Sequence, residues 1–195
     1  HSIIHMYIAE SDNAVEAVSY LRERFTACGI DNEINCALVD DANWNENWKK
    51  YFHTIEIGER LAVVPSWEKY ENPDGRTVLN IDPGAAFGTG THATTSLCLE
   101  LLQGYIKDVT QMLDIGCGSG ILSVCGLLLG ADSAVGVDID ALAVKTAKEN
   151  GKTNGFEEPQ YKVLQGSLTD KVSGTFDVVV ANIVADIIIL FSTQV

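Results

Sequence analysis

A run of three glycines at the end of a predicted strand is the part of this sequence best suited to chemistry. The strand predicted over Gln111–Ile115 ends in GCGSG at positions 116–120, and a predicted helix, Ile121–Leu129, begins at the next residue. Glycine lets the backbone bend sharply and lets a ligand approach it closely. Asp138 ends the next predicted strand, 22 residues after Gly116, near the spacing of about 20 at which a carboxylate holds ribose hydroxyls. The pattern predicts a nucleoside site; the alternative is a tight turn with an unrelated surface aspartate.

The residues around the glycine run favour one cofactor over another. A dinucleotide fingerprint needs a further glycine at the position that Ile121 occupies, and its helix N terminus binds a pyrophosphate. Asp114, just before the turn, would repel a phosphate and suits the positively charged sulfonium and amino groups of S-adenosylmethionine. We therefore predict a methyltransferase that uses S-adenosylmethionine, and a nicotinamide-dependent oxidoreductase remains the alternative.

The elements that must position this turn alternate between strand and helix from Thr77 onward. The predicted strands are Thr77–Ile81, Gln111–Ile115, Ser133–Asp138, Gln160–Leu164 and Phe176–Ala181, and the helices lie near His92–Tyr105, Ile121–Leu129, Ala141–Asn154 and Ile183–Leu190. This alternation predicts an α/β fold built from parallel βαβ units. The last strand is continuously apolar after Asp177, which is typical of a strand covered on both faces.

Residues 1–64 do not follow this alternation and are predicted to form a small N-terminal α+β domain with its linker helix. The predicted elements are the strands Ile3–Ile8, Glu33–Val39, Thr54–Ile57 and Arg60–Val64 and the helices Asn13–Cys28 and Asn43–Phe52. Residues 65–76 contain two prolines and the turn sequence NPDG, which predicts a linker. Residues 77–195 are then the cofactor-binding domain.

Composition excludes several classes of protein. The chain has 195 residues, of which 46% are hydrophobic and 21% charged, as in a folded domain rather than a disordered chain. The net charge of −14 is unsuited to direct binding of a nucleic-acid backbone.

The five cysteines form no CxxC pair and have no histidine at ligand spacing, so we predict no disulfide framework, no metal site and a reducing, cytoplasmic location. The most apolar stretch, Val178–Leu190, contains Asn182 and Asp186 and is shorter than the ~20 residues that span a bilayer, which predicts no membrane association.

Four short sequence motifs, taken together, resemble those of a known protein family. They are DPGAAFGTGTHATT at 82–95, DIGCGSG at 114–120, DID at 138–140 and VVANI at 179–183. They resemble the PrmA family, bacterial methyltransferases that modify amines on the eleventh protein of the large ribosomal subunit. The specific part is FGTGTH at 87–92, because the glycine turn alone fits any class I methyltransferase. Ala93 and Ala141 stand where the family usually has proline.

The resemblance implies a role in binding S-adenosylmethionine for several matched residues. Gly116 and Gly118 would contact the methionine portion of the cofactor, and Asp138 would contact the ribose. Thr95 would hydrogen-bond the amino-acid end of the cofactor from the start of its helix. These positions are all present in the sequence.

The remaining matches concern the adenine and the reacting methyl group. Ser167 and Leu168 would flank the adenine. Asn182, at the end of the fourth strand of the sheet, would contact the cofactor near the departing methyl group, and its carbonyl oxygen would orient the incoming amine. Asn182 is therefore the candidate catalytic residue. We interpret His92 as a helix-start residue rather than as a base.

The function that the resemblance implies is S-adenosylmethionine-dependent N-methylation of lysine or N-terminal amines, or both, of ribosomal protein eleven of the large subunit. Residues 1–64 would recognise this protein substrate. A methyltransferase acting on nucleic-acid amino groups would normally show Asn-Pro-Pro-aromatic, because the aromatic ring stacks on a flipped base. This chain instead has Asn182-Ile183-Val184. A non-catalytic cofactor-binding fragment remains a further alternative.

The resemblance also implies a fold that this sequence supplies in part. Class I methyltransferases have a Rossmann-like sheet with strand order 3-2-1-4-5-7-6, and the strands predicted at 111–115, 133–138, 160–164 and 176–181 correspond to strands 1 to 4. The family's N-terminal domain resembles a ferredoxin-like βαββαβ unit, of which residues 1–39 offer one strand–helix–strand. We therefore expect the chain to be part of a longer polypeptide in which both domains continue.

Overall fold

The computed structural model describes residues 14–35, 52–82, 92–107, 110–167 and 169–191. Contacts divide the chain into two compact units, residues 1–44 and 45–195. In the first unit, helix α1 (Ala14–Ala27) closely matches the predicted helix. Residues 33–35, the start of a predicted strand, are not in strand conformation. The strand predicted at Ile3–Ile8, the remainder of Glu33–Val39 and residues 43–51 lie outside the described residues.

The described part of the second unit includes a small mixed sheet of three strands. They are β1 (Ile55–Ile57), β2 (Leu61–Pro65) and β3 (Thr77–Ile81), in the order β1-β2-β3. β1 and β2 form an antiparallel hairpin, whereas β2 and β3 are parallel, with Leu61 opposite Thr77 and Pro65 opposite Ile81. All five residues of β2 are buried.

This sheet joins strands from segments that were predicted to lie on either side of the domain boundary. Strand β3, the first of the alternating strands predicted from Thr77 onward, pairs with β2 in the small sheet and not with the four strands of the large sheet. The predicted first domain ends at residue 64, whereas the contacts divide the chain after Trp44. Residues 66–76 connect the paired strands β2 and β3, and Glu68 anchors this connection by accepting a hydrogen bond from the Thr54 amide at 2.8 Å.

The main sheet has four described strands, all parallel, in the order β6-β5-β4-β7. They are β4 (Gln111–Ile115), β5 (Ser133–Asp138), β6 (Tyr161–Gln165) and β7 (Val178–Ala181). This order confirms the predicted 3-2-1-4 arrangement of the class I sheet. Ile115 lies opposite Val137 on one side and Ala181 on the other, so the carboxyl ends of the three strands meet at one edge.

Four helices are described in the second unit. They are α2 (Ala93–Tyr105), α3 (Ile121–Leu128), α4 (Ala141–Thr153) and α5 (Ala185–Phe191). His92 caps α2 by accepting a hydrogen bond from the Thr94 amide through its side chain, which confirms its predicted helix-start role. α3 is almost entirely buried because it contacts both sheets, through β3, β4 and β5. None of the described helices is long and apolar enough to cross a membrane.

Strand β7 differs from its predicted burial. Its apolar sequence predicted a strand covered on both faces, but Val179 is 47% exposed. The reason is its position in the sheet: among the described strands, β7 pairs only with β4.

Candidate functional site

The glycine turn between β4 and α3 adopts a backbone that other residues rarely take. Gly116, Gly118 and Gly120 all have positive φ values, of 71°, 54° and 79°, in the left-handed region where a Cβ atom causes strain. The amides of Gly116 and Cys117 both donate to the carbonyl of Val137, at 2.8 and 3.0 Å. The turn is therefore held against the carboxyl end of β5.

Two of these glycines are also required by close neighbours. A Cβ atom on Gly116 would collide with the side chain of Ile183, and one on Gly120 would lie 2.5 Å from the Tyr161 hydroxyl oxygen and 3.0 Å from the Ala147 Cβ. The turn thus packs closely against Ile183 and Tyr161, and the backbone of Gly116 and Gly118 lines a cavity. This backbone could cradle a ligand, as the spacing of the glycines predicted.

We expect Gly120→Ala to lower the free energy of unfolding by about 3 kcal/mol, since the new methyl group adds a collision with Tyr161, which costs roughly 1–3 kcal/mol, to left-handed strain of roughly 1–2 kcal/mol. Gly155→Ala is the matched control, because Gly155 also has a positive φ, 86°, but has no neighbouring atom within 4 Å of the position that a Cβ would occupy. Urea denaturation of both variants measures the difference. Equal losses of stability would show that the Tyr161 contact is unimportant.

Asp138 lies at the end of β5, and its carboxylate is held in place by two backbone amides. Its Oδ2 accepts a hydrogen bond from the Gly118 amide at 2.8 Å, and its Oδ1 accepts one from the Asp140 amide at 3.0 Å. Asp140 itself caps α4 by accepting from the Leu142 amide. The structure therefore joins the predicted ribose carboxylate directly to the predicted cofactor turn.

The predicted site residues come together around one cavity at the carboxyl edge of the main sheet. It has a volume of about 440 Å³, and its lining includes Thr95, Gly116, Gly118, Asp138 and Asn182. Ser167 also lines it, whereas Leu168 lies outside the described residues. Five residues from four separate segments of the chain thus share one surface. Among the described residues, no group of three or more His, Cys, Asp or Glu side chains could hold a metal ion.

Several apolar residues of the cavity were not predicted from the sequence. Ile139, which directly follows Asp138, lines the cavity and is 73% exposed. Ile183, Val184 and Ile187 line it close to Asn182. Apolar residues immediately after the two polar strand-end residues were the available signal for this wall.

Asn182 and Thr95 form a pair across the cavity wall. The Asn182 side-chain nitrogen donates to the Thr95 hydroxyl oxygen at 3.1 Å, and Thr95 is only 1% exposed. This bond leaves the Asn182 Oδ1 as an acceptor that no other described residue uses. The arrangement suits an amide that presents its oxygen to a hydrogen-bond donor in the cavity.

Asp114 lies behind the glycine turn rather than in the cavity. It is 1% exposed, and its Oδ2 accepts hydrogen bonds from the Ser123 amide at 3.1 Å and from the Ser123 hydroxyl at 2.6 Å. Its Oδ1 has no partner among the described residues. Burial raises the pKa of Asp114 to about 6, although the Ser123 hydrogen bonds oppose this shift. The sequence indicated a charge beside the ligand, but Asp114 does not line the cavity.

The raised pKa predicts that Asp114 makes stability depend on pH. A carboxyl group with a folded pKa near 6 and an unfolded value of 3.8 favours the folded state when protonated, so its contribution is lost as the pH rises through 6. Relative to Asp114→Asn, the unfolding free energy of the wild type should fall by about 1 kcal/mol between pH 5 and pH 7. Denaturation curves at both pH values measure this, and parallel pH profiles for the two proteins would contradict it.

Comparison with known proteins agrees with this geometry. The family model described as ribosomal protein L11 methyltransferase (PrmA) matches residues 1–195. The ribosomal protein L11 methyltransferase of Acetivibrio thermocellus is 40% identical over 198 residues, covering 99% of this chain and 63% of the relative. The protein of the same name from Caldicellulosiruptor bescii is 44% identical, covering 97% of this chain and 62% of the relative.

A solved structure extends the comparison to the fold. The crystal structure of ribosomal protein L11 methylase from Lactobacillus delbrueckii subsp. bulgaricus has a TM-score of 0.67 and 35% sequence identity, covering 73% of this chain and 72% of that chain. The chain spans a little under two thirds of the length of the curated relatives that it matches. Since the family model matches along all 195 residues, the chain belongs to the ribosomal protein L11 methyltransferase (PrmA) family.

Proposed function

We propose that this chain carries the cofactor site of a protein methyltransferase that transfers methyl groups from S-adenosylmethionine to amines of ribosomal protein L11. The observation that carries the proposal is the single cavity lined by Thr95, Gly116, Gly118, Asp138 and Asn182. Membership of the family supports the same activity and the same substrate. The proposed protein substrate implies that the reaction takes place in the cytoplasm.

The residues that line the cavity suit the parts of S-adenosylmethionine. The Asp138 carboxylate, oriented by the Gly118 amide, would accept hydrogen bonds from the ribose hydroxyls. Beyond it, Ile139 and Ser167 line the part of the cavity where the adenine would lie. Gly116 and Gly118 also line the cavity, and the methionine portion would lie against their backbone.

The family match offers no support for the nicotinamide-dependent alternative. Ile121 is buried at the start of α3, at the position where a dinucleotide fingerprint requires glycine. Ile121 therefore carries a side chain at the position where that fingerprint uses glycine for close packing of helix and strand. The residues present fit a cofactor without a pyrophosphate.

The reacting amine must be neutral before it can accept a methyl group. A lysine with a pKa of about 10.4 is almost fully protonated at pH 7, whereas an N-terminal amine, with a pKa of about 7.7–8.0, is much less so. Ile183, Val184 and Ile187 supply an apolar wall near Asn182, and an apolar environment lowers the pKa of an amine. The amine would release its proton to solvent as it leaves water for this wall.

Asn182 would then align the amine for displacement. Its side-chain nitrogen is engaged by Thr95, so its oxygen would accept an N–H bond of the amine and direct the nitrogen lone pair toward the methyl group. The cofactor supplies the methyl group on a positively charged sulfur: a C–N bond forms as the C–S bond breaks. Alignment of this kind accounts for a large part of many enzymatic accelerations.

We further propose that residues 1–64 recognise the protein substrate. The division of the chain after Trp44 supports a separate N-terminal unit, and none of the described residues within 1–64 lines the cavity. A protein substrate needs a docking surface beyond the pocket that receives its amine. The N-terminal segment is the part of the chain that could provide this surface.

Methyl transfer can be tested with isotopically labelled S-adenosylmethionine and purified ribosomal protein L11. We expect labelled methyl groups on lysine side chains or the N terminus of the substrate, located by mass spectrometry of its peptides. Asn182→Ala is the control, because it should bind the cofactor but transfer little label. Cofactor binding without any label on the substrate would favour a non-catalytic cofactor-binding protein.

A further inference from the structure

We infer that Asn150, a residue of α4 that does not line the cavity, is a positioning residue for the cofactor turn. Its buried side-chain amide connects the glycine turn to the end of strand β3. The inference rests on the proposed cofactor site, and it assigns part of that site's affinity to a residue that makes no contact with the cofactor.

The side chain of Asn150 joins three segments of the chain. It is 2% exposed, and its nitrogen donates to the Ser119 carbonyl at 2.8 Å and to the Asp82 carbonyl at 3.1 Å. Its oxygen accepts from the Asp82 amide at 2.9 Å. One amide thus satisfies three buried or part-buried backbone groups, two at the end of β3 and one in the glycine turn. A buried backbone group that loses its partner is costly.

The bond to Ser119 lies at the centre of the turn. Ser119 stands between Gly118 and Gly120, both with positive φ, where a glycine backbone has more than one accessible conformation. The bond from Asn150 turns the Ser119 carbonyl toward α4. On the other side of Ser119, the Gly118 amide donates to the Asp138 carboxylate at 2.8 Å. Asn150 therefore restricts the turn that orients the proposed ribose ligand.

Asn154, one helical turn later, makes a similar clamp without reaching the glycine turn. Its side chain accepts from the Asn80 amide at 2.9 Å and donates to the Asn80 carbonyl at 2.6 Å. Both asparagines thus attach α4 to β3 through the same pattern of backbone bonds. They differ in their third bond: the Asn150 side chain donates to the Ser119 carbonyl in the glycine turn, whereas the Asn154 side chain donates to the Asn150 carbonyl at 2.8 Å. A variant of Asn154 therefore shows how much of the change in Kd of an Asn150 variant comes from loss of the attachment between α4 and β3 alone.

The test is calorimetric titration of S-adenosylhomocysteine into the wild type, Asn150→Ala and Asn154→Ala, far below the melting temperature of each protein. Both variants should melt at similar, lowered temperatures, because each loses the attachment of α4 to β3. The Kd should rise about tenfold in Asn150→Ala and stay within about twofold of the wild type in Asn154→Ala. If Asn150→Ala does not fold, Asn150→Ser replaces it, because a serine hydroxyl has one donor for the two carbonyls that the Asn150 nitrogen bonds.

The outcomes separate this inference from the proposed function. Equal Kd changes in the Asn150 and Asn154 variants would overturn the positioning role while leaving the cofactor site intact. A wild-type chain that does not bind S-adenosylhomocysteine would overturn the proposed function itself. A selective loss of affinity in the Asn150 variant, at equal stability, is the result expected for a positioning residue.

Discussion

Replacing Asn182 with alanine is expected to lower the turnover number for methyl transfer about hundredfold and to change the affinity for S-adenosylmethionine far less. The reason is that the positioning of a reacting group contributes mainly to the chemical step. In the wild type, the Thr95 hydroxyl accepts from the side-chain nitrogen of Asn182, so the amide oxygen is available to the substrate amine. Alanine provides no acceptor, and the amine would enter the cavity without a fixed orientation. Single-turnover kinetics with saturating cofactor measure this step.

A second variant identifies the source of the effect. Thr95→Ser keeps the hydroxyl oxygen that receives the Asn182 bond and should retain most of the turnover, whereas Thr95→Val should lose part of it because the amide is no longer oriented. Loss of cofactor affinity without loss of turnover in Asn182→Ala would show that Asn182 is only a cofactor contact.

Asp138→Ala should weaken the binding of S-adenosylmethionine by about 1.5–3 kcal/mol, the range expected for hydrogen bonds to a charged group, or roughly tenfold to a hundredfold in Kd. The substitution removes the proposed acceptor for the ribose hydroxyls, and it also removes the partner of the Gly118 amide. The loss of the ribose acceptor and the loss of the Gly118 partner would both weaken binding of S-adenosylmethionine. Equilibrium titration of the purified variant measures the change.

Asp140→Ala is the matched control for Asp138. Asp140 lies two residues away and caps α4 through its side chain, but it does not line the cavity. Its replacement should lower stability by about 1 kcal/mol through loss of the cap and leave the Kd unchanged. An unchanged Kd in Asp138→Ala would contradict the ribose assignment.

The main sheet and the cofactor turn could be predicted because their signals are local. β4 and β5 have the predicted bounds, since buried parallel strands are short apolar runs that end at glycine or aspartate. The positions of Gly116, Asp138 and Asn182 at strand ends were enough to expect them at one edge of the sheet. The cavity that they line follows from the same rule.

The features that sequence did not reveal depend on partners distant in the chain. The sequence of β3 predicts a strand, but it does not show which sheet the strand joins. β3 pairs with β2, to which residues 66–76 connect it. Asp114 carries a charge beside the turn, yet the Ser123 bonds that hold it require α3 to begin immediately after Gly120. Asn150 reads as an ordinary polar residue in a helix, and only the packing of α4 against the turn shows its contact with Ser119.

The central claim is that the cavity beside the glycine turn is a site for S-adenosylmethionine. The most direct test is calorimetric titration of this chain with S-adenosylmethionine and, in a separate experiment, with NADH. We predict saturable binding of one S-adenosylmethionine per chain, weakened in Asp138→Ala, and no saturable heat with NADH. Binding of NADH in preference to S-adenosylmethionine, or S-adenosylmethionine binding that is unaffected by loss of Asp138, would contradict the account.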